Sequence, residues 1–558
     1  MFGQEKVQLS KYADTTNREG FGAWSAPVEQ RYLQMLMTNT FGNTFYAKAE
    51  QHAQEADETH DEMLARDPEF AAKALAYARN KGYMRTQCVY GLAKLFLVSA
   101  NLGKSTFPQV IQTPDDLFDF MTINGSLRFK GPHTVSKRDR VYSGRGEGTP
   151  ALTYSDAKEH YVTKPGQGGR AVKSAINSWL QEKLTEYWAI KYGADKGEGA
   201  YSLRDVIKTT HPAIDWDDEK QRYLWAIAQY ILAKGKEKLV DPNLTPQLDA
   251  FERLKRETSD REKIGLIREG RIPHEQATPF AGKSAEVWAE IAQHMPIFAL
   301  LRNLATLERK GVINDPEVKA TVQRVLTNPS QVQKSKILPY RFVEAEKHVT
   351  TTWVKDALRD AVELSFDAIG DVPGDTCVLL DISNSMRGGT FHVDGKCVTY
   401  PESLEKARLF AMSLMKKASD NSDLYLFNTD AKLFPFSRRD SLLTQAKQVT
   451  ANGGTNTGAA MQKVLDSGKR YDTLIMITDE QQNQGQPFYD VLVRYRGKVN
   501  PHLHTFIMNV APEVGSVVPS QDPAVFHLYG WSDQILKLIS LQSQGWRSMV
   551  EAVREGRP

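Results

Sequence analysis

The nine residues Val378 to Met386, VLLDISNSM, carry an apolar run into one carboxylate and two hydroxyls, those of Asp381, Ser383 and Ser385. Further along, ANGGTNTGAA sets Thr455 and Thr457 in a Gly-rich loop ahead of a helical pattern, and LIMITD ends another apolar run on Asp479. Asp381, Ser383, Ser385, Thr455 and Asp479 offer oxygen and neither nitrogen nor sulfur. Hard oxygen donors with only two carboxylates suit a small divalent cation that keeps part of its water, which points to magnesium and away from zinc. Taken alone, DISNS is also an ordinary turn or cap sequence, because Asp and Ser at strand ends bond their own backbone. No GxxxxGK[ST] loop and no GxSxG elbow occurs, so phosphoryl and acyl transfer lack their equipment. A phosphotransferase with a nucleophilic Asp would want a second acid two residues on, where Ser383 stands. The expectation is binding without turnover.

Those residues need a scaffold that gathers them. After DVPGD (371–375), apolar runs TCVLLDIS, DLYLFNT, DTLIMITD and HLHTFIMNV alternate with amphipathic stretches such as ESLEKARLFAMSLMKKAS and TGAAMQKVLDSG. Continuous apolar strands separated by helices imply a parallel sheet covered on both faces, a doubly wound α/β domain. Ligands bind such sheets at the carboxyl ends of the strands, where Asp381 and Asp479 fall. From about Glu29 to Ser365 the pattern is helical instead. EFAAKALAYARNKGY, RAVKSAINSWLQEKLTEYWAIKYG and EVWAEIAQHMPIFALLRNLATLERKGV return apolar residues every three or four positions. Asp67-Pro68 reads as a helix start, and Gly82, Gly193 and Gly311 as helix ends. Helix follows helix with short joins, which predicts HEAT-type pairs.

At 558 residues, two or three domains of ordinary size are expected. Cys88, Cys377 and Cys397 fit neither a disulfide framework nor a zinc pattern, so a reducing, cytoplasmic setting is expected, with no membrane span. The net charge of +3 hides a local imbalance: Arg128 to His211 holds 15 basic against 9 acidic residues, an excess larger than that of the whole chain. Such a window is the electrostatic footprint of a polyanion site, although a solvated basic loop has the same composition. Its segment 124–169, rich in Gly, Lys, Arg and Tyr, reads as a long loop or hairpin.

The order DxSxS, GGTxT and an apolar strand ending in Asp, on an α/β pattern, resembles the metal-ion-dependent adhesion site of the von Willebrand factor type A (vWA) domain. Several helical stretches, GGRAVKSAINSWL, YSLRDVIKTTHP and ILPYRFVEAEKHV among them, resemble the TROVE module of the Ro autoantigen family. Together they cover roughly Phe21 to Leu541 in that family's domain order. The resemblance implies a TROVE-type ring of HEAT-like helices over 1–368 and a vWA domain over 369–558. It implies metal ligation by Asp381, Ser383, Ser385 and Thr455, with Asp479 direct or through water, and an open coordination position. It also implies a non-enzymatic monomer that binds Y-like small RNA on an outer basic surface, takes single-stranded 3′ ends of misfolded RNA in a central hole, and works with an exoribonuclease in RNA quality control. Carried over by motif, the Y RNA surface falls on Arg170, Lys173, Lys191, Lys196 and His211. Cations there would neutralise phosphate and a helix-end histidine would bond phosphate or stack on a base. Scattered Lys and Arg are equally the usual dress of a solvated helix. Trp179 and Trp188 keep helical spacing with apolar neighbours and are assigned to the core; Lys94, Arg302 and Arg309 lie on other helices and are candidates for the hole. Segment 387–401, RGGTFHVDGKCVTYP, departs from the pattern as an insertion that could cover the metal. The competing reading is a metal-dependent protein-interaction adaptor with incidental RNA affinity.

Overall fold

The computed structural model describes residues 13–39, 47–128, 169–193, 201–212, 217–233, 240–335, 337, 339–366, 371–372, 374–393, 396–400, 403–511, 513, 515–530 and 549–556. The chain divides into two compact units, one formed by Met1–Gly91 with Phe366–Pro558 and the other by Leu92–Glu147 with Leu152–Ser365. The sequence grammar changes near residue 369, whereas the compact units also exchange at Gly91. The early helices explain this: Val28–Thr38 buries Leu33 and Leu36 completely, and Gly530 at the end of the last sheet strand approaches the carbonyl of Met37 so closely that a Cβ would lie 2.7 Å from it. Arg554 adds ion pairs of 3.1 Å to Glu29 and to Asp67 and lies over the Phe70 ring at 4.8 Å.

In this first unit, a short ribbon of β1 (Thr15–Thr16) and β2 (Gly22–Ala23) precedes the helices Val28–Thr38, Ala49–Arg66 and Pro68–Asn80. Asp67 caps the last of these by accepting from the Phe70 amide at 2.9 Å, with Pro68 in the first turn as the sequence predicts.

The second unit is made of HEAT-like helices. The single stretch read from Arg170 to Gly193 is two helices, Gly169–Lys183 and Glu186–Tyr192, because Thr185 turns the chain and caps the second by accepting from Trp188 N at 3.4 Å. The stretch from Glu286 to Val312 breaks in the same way at Pro296, which cannot supply the donor needed to continue a helix, giving Ala285–His294 and Ile297–Arg309. The segment read as a loop from Asn124 begins as helix: Pro114–Arg128 runs through Asn124, and most of the remaining insertion lies outside the described residues. Trp179, Trp288 and Phe342 are among the fully buried side chains of this unit.

The α/β domain belongs to the first unit. Its strands β3 (Thr376–Asp381), β6 (Asp423–Phe427), β7 (Ala431–Phe434), β8 (Thr473–Thr478), β9 (His504–Asn509) and β10 (Val525–Tyr529) form one sheet in the order β10-β9-β8-β3-β6-β7. All neighbours are parallel except β6 and β7. The four strands read from sequence are all present; the antiparallel edge strand β7 and the parallel edge strand β10 are additions. β3 and β8 are continuously buried, as expected of strands covered by helices on both faces. From β3 the chain pairs with β6 on one side and later with β8 on the other, so successive connections leave in opposite directions and open a crevice at their carboxyl ends. Insertion 387–401 forms a separate hairpin of β4 (Gly389–Val393) and β5 (Lys396–Tyr400), outside the main sheet. No described helix is long and apolar enough to cross a membrane.

Candidate metal centre and nucleic-acid interface

The register Leu380↔Ile477 places the ends of β3 and β8 side by side. Asp381 is fully buried there and accepts from Thr478 Oγ1 at 2.7 Å through one oxygen and from the Ser383 amide at 2.8 Å through the other. The same turn brings Ser383 Oγ within 3.0 Å of Ser385 Oγ. Three loops are then tied pairwise. Asn384 N donates to Gly453 O at 3.1 Å and Asn452 N to Ile382 O at 2.8 Å, joining the Asp–Ser turn to the Gly-rich loop. Thr455 N donates to Asn483 Oδ1 at 3.0 Å while Asn483 N donates to Thr455 O at 3.1 Å, joining the Gly-rich loop to the turn after β8. Asn456 caps the following helix, Thr457–Asp466, by accepting from Ala459 N at 2.9 Å. Glycine is required at 458, where a Cβ would lie 1.9 Å from the Gln486 carbonyl oxygen.

Four of the five expected ligands, Asp381, Ser383, Thr455 and Asp479, are buried and Ser385 is half-buried. Burial, followed by the Asp381 charge, pushes the Asp479 carboxyl up to about 8, against the opposing hydrogen bonds from Ser385 and the Gln481 amide. Asp381 is also raised, chiefly by burial. Two carboxylates taken out of water beside one another repel, and a divalent cation is the group that would relieve both the burial and the repulsion. The donor set therefore fits a hard cation held by oxygen. Among the described residues no group of three or more His, Cys, Asp or Glu gathers as a metal site.

Sequence reasoning missed the group that braces this site. Glu480, with φ 59°, is buried and accepts from Asn509 Nδ2 at 2.7 Å, Ser516 Oγ at 2.6 Å and Val517 N at 3.0 Å. It thereby holds the turn after β8 against the end of β9. The one available signal was an acid directly after an apolar strand. The N-terminal segment also reaches this site. Asn17 Nδ2 donates to Gln482 O at 2.8 Å, and Arg18 N to Gln481 Oε1 at 3.0 Å. Arg18 pairs with Glu513 and, at 2.7 Å, with Glu55. Trp24 bridges Ser516 and meets the Tyr489 ring edge-on at 5.4 Å.

In the helical unit, Arg170 is exposed and Lys173 half-exposed on Gly169–Lys183. His211 is exposed in left-handed backbone, φ 46° and ψ 64°, at the end of Leu203–Thr210. Asn177 Nδ2 donates to Thr210 O at 3.4 Å, so the helix bearing Arg170 and Lys173 touches the residue before His211. Lys191 lies on the next helix, paired with Glu275 at 2.8 Å. Lys196 lies outside the described residues. Trp179 is core, donating to Ile111 O at 2.6 Å; Trp188 stacks on it at 5.2 Å and is only half-buried. Lys94 is buried, 6 % exposed, while Arg302 and Arg309 are exposed.

Residues 273–365 match the TROVE domain and residues 376–541 the Ro60 vWA domain. The chain is 26 % identical over 501 residues to a Deinococcus radiodurans protein named RNA-binding protein RO60, covering 84 % of each chain. It is 22 % identical over 495 residues to the Caenorhabditis elegans protein of the same name, covering 77 % of this chain and 71 % of that one. The crystal structure of the Deinococcus radiodurans RO (RSR) protein superposes with a TM-score of 0.62 at 20 % identity, covering 93 % of this chain and all of the other, and so shares its fold. A HEAT-like helical region with a TROVE match, followed by an α/β domain that matches the Ro60 vWA model, makes this chain similar along most of its length to the RO60 relatives.

Proposed function

We propose that this protein binds a small, structured, Y-like noncoding RNA along the cationic face of its helical unit and takes single-stranded 3′ ends of aberrant RNAs in the central hole that the family resemblance implies. It acts, in this reading, as a cytoplasmic, monomeric platform for an exoribonuclease in RNA quality control, gripping RNA without transforming it. The supporting observation is that exposed Arg170 and His211 and half-exposed Lys173 stand on two helices joined by the Asn177–Thr210 hydrogen bond. Cations at that spacing neutralise phosphates and release counterions, which makes affinity steeply salt-dependent. Lys191 would contribute by exchanging its Glu275 partner for phosphate. The relatives' names, RNA-binding protein RO60, point the same way.

In the same proposal Asp381, Ser383, Ser385, Thr455 and Asp479 hold magnesium in the vWA domain. The cation would supply a Lewis-acidic open position able to take a carboxylate from a partner protein. This chain's own part is positional: Thr478 and the Ser383 amide orient Asp381, and Glu480 holds the neighbouring turn.

The test is a titration of a hairpin RNA across a salt series. Log affinity should fall linearly with log salt, and changing Arg170, Lys173 and His211 to Ala together should weaken binding and flatten the slope by about 2. RNA binding that is absent or indifferent to salt would leave the protein-interaction adaptor as the reading.

A further inference from the structure

We propose that the segment Asp14–Trp24 is a strap that holds the turn after β8 in its cation-binding shape, so that strap docking and cation binding reinforce one another; the inference rests on the magnesium reading above. The strap is a closed loop of its own. β1 and β2 pair antiparallel, Asn17 N donates to Phe21 O at 2.9 Å, and Asn17 Oδ1 accepts from the Glu19 amide at 3.0 Å and the Phe21 amide at 2.9 Å. Asn17, Phe21 and Trp24 are all buried.

Its bonds fall on the three residues that follow Asp479. Arg18 N donates to Gln481 Oε1 at 3.0 Å, and Gln481 N in turn donates to Asp479 Oδ1 at 3.1 Å. Asn17 Nδ2 donates to Gln482 O at 2.8 Å, and the Gln482 side chain accepts from Thr457 Oγ1 at the start of the helix Thr457–Asp466. Trp24 and Ser516 exchange two backbone bonds of 3.0 Å, and Ser516 Oγ is one of the donors that Glu480 accepts. The strap is anchored in turn where Arg18 pairs with Glu513 and with Glu55 of the helix Ala49–Arg66. Gly515, with φ 84°, allows the close approach, since a Cβ there would lie 3.0 Å from that of Ala23.

The physical reason for such a strap is the repulsion at the site. Two buried carboxylates side by side push apart the turns that carry them. Glu480, Gln481 and Gln482 are gripped from outside by the strap or by a residue paired with it, which resists that push. A turn already in place binds an ion more tightly, because less ordering remains to be done when the ion arrives. Linkage then runs both ways: an ion that prefers the strapped form must hold the strap down by the same factor. Asn17 and Arg18 are positioning residues in this scheme, acting on Asp479 through Gln481 and Gln482. A strap with a structural role alone would open and close without regard to the ion.

The experiment uses the full chain, a magnesium titration by calorimetry, and hydrogen exchange of the peptide spanning Asp14–Trp24 with and without magnesium. Asn17→Ala should weaken magnesium binding about ten-fold. Saturating magnesium should slow exchange of the wild-type strap by that factor or more, since full release breaks every one of these bonds, and Asp381→Asn should remove the protection. Tyr471→Phe, which deletes the hydrogen bond to Asp423 beyond the opposite end of β8, should leave magnesium affinity unchanged and so separates the strap from general loss of stability. The exchange measurement on the wild type holds whether or not Asn17→Ala folds. If magnesium binds the wild type but leaves strap exchange unaltered, or binds Asn17→Ala as tightly as the wild type, the inference is overturned while the magnesium reading stands. If the wild type binds no magnesium, both are overturned.

Discussion

The Asp–Ser turn proposed to hold a cation and the exposed basic residues proposed to hold RNA are built on opposite terms. Asp381 and Asp479 are buried and locked: every loop that carries a donor is hydrogen-bonded to the next, and Glu480 alone answers three donors. Arg170 and His211 are exposed to solvent. The difference teaches what each ligand demands. A small cation requires oxygens at fixed separations, so its site must be rigid before the ion arrives. A polyanion is held by long-range charge, which tolerates movement and remains hydrated.

Changing Glu480→Ala is the most severe way to try this contrast. Three buried donors lose their acceptor at once, and stability to urea should fall by about 3–5 kcal/mol. A loss under about 1 kcal/mol would mean the turn is not the rigid element described. Next comes pH. His527 on β10 is buried, and burial pushes its value down to about 4. The unfolded chain takes up this proton below about 6.5 while the folded chain stays neutral, so stability falls as pH drops from about 6.5 to 4, by at most about 3 kcal/mol. In His527→Gln that part of the pH dependence should vanish from melting curves. Magnesium ranks third: at a hundred times its dissociation constant it should add about 2.7 kcal/mol to stability, and Asp381→Asn should abolish the gain. The mildest perturbation is Arg170→Ala with Lys173→Ala, which should leave stability within about 0.5 kcal/mol while flattening the RNA salt slope. A large stability loss here would show that the cationic face is structural, and the contrast would collapse.

What could be read in advance follows the same division. The strand ends and helix start that carry Asp381, Ser383, Ser385, Thr455 and Asp479 were legible because their local pattern announces itself. Glu480 was not, since its partners Asn509 and Ser516 come from distant loops and an acid after a strand resembles an ordinary turn residue. Strand β10 was obscured because His527 interrupts its apolar run, and β7 because AKLF is too short to establish a period. The split at Thr185 shows periodicity surviving a turn that cap geometry reveals, whereas Pro296 is a helix breaker written in the sequence inside an otherwise periodic run.

Periodicity and strand-end motifs, both local, sufficed for the sequence alone to determine the two fold classes and to single out the oxygen-bearing side chains around the Asp–Ser turn. Tertiary structure alone decided that Met1–Gly91 joins the α/β unit, that Arg18 reaches Glu513, and that Thr210 meets Asn177. Those outcomes depend on which faces meet across long stretches of chain. Helical spacing specifies that a face is apolar or charged, but the energy of burying it is non-directional and leaves the choice of partner to the packing of the whole.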